Sequence, residues 1–170
     1  IDLDYTLDTG PGFPDGTRDL ATDLKDKEWA YTAAVNYDFT EDNAAFFRFS
    51  DGFLFPHFDD IRENNLNVND VKQWEVGFKH SSDYFGLFLT GFYNKNDSFD
   101  SVVGSDIAAT SFKTRALGVE VDGRFSIENF NLGVIATLQD AEIRDSDNAD
   151  QIGNRVLRQP KWQLRIAPSY

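Results

Sequence analysis

Three stretches of this sequence hold side chains that could do chemistry. Ser50, His57 and Asp59 supply the residue types of a nucleophile, a base and an orienting acid. No Gly-x-Ser-x-Gly turn surrounds the serine and no oxyanion site is indicated, so hydrolysis is not expected. Asp145-Ser146-Asp147-Asn148-Ala149-Asp150 opens like a calcium loop. Its fifth position is Ala149, its sixth is Asp150 where the EF-hand turn needs glycine, and no glutamate stands at the twelfth. The run reads as a solvated acidic loop, and no metal site is expected. The third stretch, 53–62, gathers Phe53, Phe55 and Phe58 around His57, Asp59 and Arg62. It offers rings, an imidazole and a guanidinium for gripping a ligand, with Phe55, His57, Phe58, Asp59 and Arg62 as contacts. The same rings could instead pack the loop onto its neighbours.

Composition narrows the choice. The chain has 170 residues and a net charge of −13, from 29 acids against 16 bases. A nucleic-acid grip needs a basic face, so no nucleic-acid partner is expected. The absence of cysteine removes disulfides and thiolate chemistry, and two histidines leave little for a zinc site, so no cofactor is expected. With Ile1 first and no methionine, the chain reads as a piece of a longer one. No run approaches the roughly 18 to 20 apolar residues of a membrane helix. That test is blind to membrane β-barrels, whose strands alternate.

Alternation is what the chain shows. In 29–39, Trp29, Tyr31, Ala33, Val35, Tyr37 and Phe39 share one parity, while Thr32, Asn36 and Asp38 share the other. Successive side chains of a strand point to opposite faces, so each such stretch has an apolar and a polar face. The pattern repeats in 72–80 (Trp74, Val76 and Phe78 against Glu75 and Lys79) and in 116–127 (Leu117, Val119 and Val121 against Glu120, Asp122 and Arg124). It returns in 131–139 and in 161–170, where Trp162, Leu164 and Ile166 oppose Lys161, Gln163 and Arg165. Two further strands, about 44–53 and 85–97, alternate less cleanly because Phe46, Phe88 and Phe92 fall on the polar parity. The expectation is an all-β, antiparallel up-and-down meander of about seven strands.

The connections alternate too: short at 40–43, long at 54–71, short at 81–84, long at 98–112, short at 128–130 and long at 144–160. In a meander, alternate connections lie at one end of the sheet, so tight turns and long loops separate. The leading segment 1–28, with Gly10-Pro11-Gly12 and Pro14-Asp15-Gly16, fits the end of another long loop. The apolar parity is rich in aromatics near strand ends. Trp and Tyr favour the depth where acyl chain meets headgroup, because the ring is apolar and its N–H or O–H stays wet.

Several motifs add a resemblance. Ser50-Asp51-Gly52-Phe53, with Pro56 and Asp60 behind it, resembles the strand-end signature of TonB-dependent outer-membrane receptors. Gln73-Trp74-Glu75-Val76-Gly77-Phe78-Lys79 is similar to that family's E-x-G-x-K strand, followed by a tight turn and Gly91-Phe92-Tyr93-Asn94. Gly118-Val119-Glu120-Val121 resembles the next strand, and Asn154 to Pro160 the loop leading into the last one. Their order and spacing across 29–170 carry the likeness.

The resemblance implies a segment late in a barrel of roughly 22 strands with a plug in its lumen. It implies the outer membrane of a Gram-negative bacterium, and as partners lipid, the plug of the same full-length chain, TonB through a missing N-terminal part, and a small-molecule substrate. That substrate would be a scarce nutrient such as a ferric siderophore, cobalamin, haem or a carbohydrate. No enzyme activity is expected. Lumen-facing positions would be Glu75, Lys79, Glu120, Asp122, Arg124 and Arg165. Lipid-facing ones would be Trp29, Tyr31, Val35, Trp74, Val76, Val119, Val121, Trp162 and Leu164. About seven strands cannot close such a barrel, and an open edge in lipid leaves backbone groups unpaired. Two other readings remain: a small plug-less outer-membrane barrel, and a soluble β-sandwich binding module of calcium-dependent lectin or adhesin type.

Overall fold

Seven of the alternating stretches pair into a single antiparallel sheet. The computed structural model describes residues 2–7, 22–56, 67–100 and 110–170. The sheet runs in strict chain order: β3 (Tyr31–Asp38), β4 (Asn43–Leu54), β5 (Asn69–Ser81), β6 (Phe85–Asp100), β7 (Thr110–Ile127), β8 (Phe130–Ser146) and β9 (Trp162–Ser169). Before it, β1 (Asp2–Leu7) and β2 (Thr22–Lys27) form a separate antiparallel hairpin. Sequence patterning did not reveal these two short, acid-rich strands, and the segment read as a loop remnant has secondary structure of its own. Ala149–Gln151 adds one 3-10 turn, with Asn148 accepting a hydrogen bond from the Asp150 amide.

The tight connections lie at one end, as the loop lengths implied. Thr40 and Asn43 close the β3–β4 turn through their backbones, and the Ser82 amide donates to the Phe85 carbonyl in the β5–β6 turn. The β7–β8 turn has only Glu128 and Asn129 between the paired residues Ile127 and Phe130. Glu128 takes φ 50°, a left-handed value suited to a two-residue hairpin whose twist matches its strands. The strands outrun their apolar patterns at the other end: β7 and β8 reach 18 and 17 residues. A membrane needs roughly 9 to 11 residues per tilted strand, so the surplus projects beyond any bilayer on the long-loop side.

The sheet has little core. Among the described residues the buried hydrophobic side chains are Ala44 and Ala141. Val35 and Val76 are each 61% exposed, and Leu138 is 64% exposed. Val119 and Leu164, which a sandwich would seal at its centre, are also open, and Glu120 and Arg165 are exposed on the opposite side. At about 25 cal/mol per Å² of apolar surface, such a face is stable only against a non-aqueous neighbour.

Candidate functional site

The site is the sheet itself, and register decides what stands on each side. Residues directly opposite one another in paired strands share a face. Val35 pairs with Phe47, Phe47 with Val76, Val76 with Gly91, Gly91 with Val119, Val119 with Leu138. One row therefore runs apolar across six strands. Tyr31, Trp74, Val121, Trp162 and Leu164 fall on the same face by the same pairings. Trp29 precedes β3 and is 88% exposed. Four rings cross this face in contact: Tyr31–Phe49 at 5.9 Å, Phe49–Trp74 at 5.2 Å and Trp74–Tyr93 at 5.6 Å between centroids. Near the tight turns, Tyr37, Phe39 and Phe78 form a second aromatic group, at 6.4 and 6.1 Å.

The apolar part of this face has a measurable height. From Leu117 to Ile127, β7 rises about 33 Å at roughly 3.3 Å per residue. A strand tilt of about 40° projects that to about 25 Å, the height of the apolar band on outer-membrane barrels. Immediately above it, charge begins in register: Asp51 pairs with Lys72, Lys72 with Lys95, Lys95 with Arg115, and Arg115 with Glu142. This row was not singled out from the sequence. Its signal was there, since Lys72 and Lys95 lie two positions beyond Trp74 and Tyr93, but only pairing aligns the five strands.

The other face carries Glu75, Lys79, Glu120, Asp122, Arg124 and Arg165, all six expected together. Arg48 donates to Glu75 Oε1 at 2.6 Å, and Gln73 Nε2 donates to the same oxygen at 2.5 Å. Glu75 is nearly covered, its side chain 11% exposed, while Arg48 stays open. Lys79 donates to Asn36 Oδ1 at 3.1 Å and sits 4.9 Å above the Phe46 ring. Thr32 donates to Ser50 Oγ at 3.1 Å. Among the described residues Glu120, Asp122, Arg124 and Arg165 make no ion pair with one another or with a neighbour. A hollow of about 590 Å³ on this side is bordered by Asn36, Arg48, Lys79, Glu120 and Asp122.

Two of the three rings that broke the alternation, Phe46 and Phe92, cover glycines, while Phe88 stands between Lys79 and Asp122 with the Lys79 ammonium 5.9 Å from its ring. Phe46 pairs with Gly77 and Phe92 with Gly118, and each ring lies over its glycine. A Cβ at Gly77 would stand 2.5 Å from Phe46 Cζ and 2.6 Å from the Leu89 carbonyl oxygen. At Gly118 it would stand 2.7 Å from the Leu138 oxygen. These glycines leave room for the ring and let it cover exposed backbone, the aromatic rescue of strand glycine.

Of the proposed ligand contacts, Phe55 is half-buried and its ring meets Phe53 edge-on at 4.9 Å. His57, Phe58, Asp59 and Arg62 lie outside the described residues. No group of three or more His, Asp or Glu side chains converges as a metal site among the described residues.

Comparison with known proteins accords with this geometry. The TonB dependent receptor-like β-barrel family model matches residues 2–170. The chain belongs to the TonB-dependent receptors, as part of their β-barrel, a family of receptors and transporters and not of enzymes. Among solved structures it is similar to the unliganded ferric citrate transporter FecA, with 20% identity and a TM-score of 0.67, covering 83% of this chain and 23% of that one. It is similar to the ferric yersiniabactin uptake receptor FyuA of Yersinia pestis, with 16% identity, a TM-score of 0.65 and coverage of 84% and 23%. It is also similar to the ferric-catecholate import receptor Fiu of E. coli K12, with 14% identity, a TM-score of 0.62 and coverage of 97% and 27%. The chain thus spans about a quarter of these receptors, and identities this low speak for the fold alone. A curated relative, the tri-snRNP-associated protein snu66 of Schizosaccharomyces pombe, is 29% identical over 100 residues, covering 58% of this chain and 15% of that protein. So small a share of that protein carries no argument here.

Proposed function

We propose that this chain forms part of the barrel wall of an outer-membrane receptor in a Gram-negative bacterium, importing a scarce nutrient of the ferric-siderophore kind. The observation that carries the reading is a single seven-stranded sheet with an apolar, aromatic-edged face about 25 Å tall and a charged face behind it. The face bearing Tyr31, Val35, Trp74, Val76, Val119, Val121, Trp162 and Leu164, with Trp29 at its rim, meets lipid. The face bearing Glu75, Lys79, Glu120, Asp122, Arg124 and Arg165 looks into the lumen, where the plug of the full-length chain supplies partners for carboxylates and guanidinia left unpaired here. Residues 1–28 stand on the extracellular side, and 29–170 belong to the barrel. The stretch from Phe55 to Arg62, with His57, Phe58 and Asp59, lies at the mouth and contacts the substrate. Energy for import arrives through TonB, engaged by an N-terminal part of the full-length receptor.

Three iron-chelate names among the structural neighbours favour a siderophore over cobalamin, haem or a carbohydrate. The test is uptake of radiolabelled ferric citrate, ferric yersiniabactin and a ferric catecholate by cells expressing the full-length receptor, with and without TonB. TonB-dependent uptake of one chelate is expected. Uptake of none, with cobalamin or a sugar taken up instead, would replace the substrate class. A full-length protein that fractionates as a soluble species and migrates on gels identically before and after heating would overturn the membrane reading.

A further inference from the structure

We infer that the imported chelate carries no net negative charge, and that the upper lumen wall receives it at Thr32, Ser50 and Gln73. The inference deepens the import reading above and rests on it. A hollow of about 470 Å³ opens at the long-loop end of the sheet, bordered by Thr32, Ser50 and Gln73 with Gly52, Leu54 and Val71. By register these six share the face that carries Glu75 and Glu120. Thr32 donates to Ser50 Oγ at 3.1 Å, which leaves the Ser50 proton for a ligand, and a bond to Glu75 fixes the Gln73 amide. Asp51 also borders the hollow, but the Tyr31 hydroxyl at 3.1 Å and Lys72 at 3.3 Å engage it.

Charge on this face sorts by depth. The row Thr32, Ser50, Gln73, Asn94, Ala116 and Ala141 crosses six strands without a charged residue. The row above it, Gly52, Val71, Asn96, Thr114 and Ile143, has none either. The row beneath holds Arg48 and Glu75, which pair at 2.6 Å and cancel. Glu120, Asp122, Arg124 and Arg165 stand lower still, toward the tight turns. The approach from the other end is acidic. The long-loop segments 1–28, 54–71, 98–112 and 144–160 hold 17 acids against seven bases, so ten of the chain's thirteen net negative charges lie there. A trianionic chelate is repelled on approach, and these upper rows offer it no unpaired cation among the described residues. A chelate whose three ligand anions just balance Fe(III), as hydroxamates do, meets neither cost. Its oxygens and amide groups suit the Ser50 hydroxyl and the Gln73 carboxamide.

The test offers cells expressing the full-length receptor two radio-iron chelates of matched size, a neutral hexadentate trishydroxamate and a trianionic hexadentate tris-catecholate. TonB-dependent uptake of the neutral chelate is expected to be at least tenfold faster. Gly52→Leu should lower that uptake about tenfold with receptor abundance in the outer membrane unchanged. A Cβ there meets nothing within 4 Å, so this variant folds and only the hollow is filled. Ser50→Lys should bring the two rates within threefold, because it gives the anion a cation. Equal or faster uptake of the trianion by the wild type overturns the inference and leaves import intact. So does a rate unmoved by Gly52→Leu or a preference unmoved by Ser50→Lys. TonB-dependent uptake of neither chelate would overturn the import reading beneath it, and this inference with it.

Discussion

Gly77→Ala tests the register and the ring-over-glycine packing together. The added methyl would stand 2.5 Å from Phe46 Cζ and 2.6 Å from the Leu89 carbonyl oxygen, where ordinary contact begins near 3.4 Å. The ring can swing away, but the carbonyl belongs to the neighbouring strand and moves only if β5 and β6 part. Overpacking of this kind costs about 1–3 kcal/mol. Lifting the ring also uncovers apolar surface, so about 2 kcal/mol is expected, close to a 30-fold shift in the unfolding equilibrium. Gly91→Ala is the matched control, since its Cβ has 3.7 Å of room on the same sheet. It should fall between neutral and about 1 kcal/mol stabilising, because alanine restricts the unfolded chain. Urea unfolding of the full-length receptor refolded in vesicles, followed by heat-modifiable migration, measures both. Adding Phe46→Ala separates the two contacts: with the ring gone, Gly77→Ala should lose about half its effect and keep the part due to Leu89. Equal effects of alanine at Gly77 and Gly91, or no coupling to Phe46, would show that the ring does not rest on the glycine.

Further outcomes follow from the same geometry. Lysine at Val76 or Val119 should destabilise the inserted barrel by about 2–4 kcal/mol, whereas lysine at Thr90 on the opposite face should stay below about 1, in the same assay. The reverse order would exchange the two faces. Glu75→Gln removes the Arg48 ion pair but keeps a polar side chain; with Arg48 half open to water the loss should be about 1 kcal/mol or less, seen as a small drop in urea midpoint. Alanine at Phe55, Phe58 and Arg62 together should lower the rate of TonB-dependent chelate uptake at least tenfold while leaving receptor abundance in the outer membrane unchanged. Unaltered uptake would remove that loop from the substrate path.

Much of the wall was legible because a strand's two faces are written directly into sequence parity. Glu75, Lys79, Glu120, Asp122, Arg124 and Arg165 could be grouped before any pairing was known, since each opposes an apolar neighbour in its own strand. Loop lengths alone separated the two ends of the sheet. The β1–β2 hairpin was not read: Asp2–Leu7 does alternate, with Leu3, Tyr5 and Leu7 against Asp2, Asp4 and Thr6, but it is short, and its partner Thr22–Lys27 has Leu24 as its one apolar residue and so shows no parity.

Periodicity in one dimension thus determined the number and order of the strands in the seven-stranded sheet and their sidedness. Only the tertiary structure decided what lies beside what. Parity cannot say that Phe46 meets Gly77 or that Phe92 meets Gly118, and so those rings looked like errors in the pattern. Nor can it align Asp51, Lys72, Lys95, Arg115 and Glu142, which come from five strands. Such neighbours are set by backbone register, and register is a relation between strands that no single strand contains.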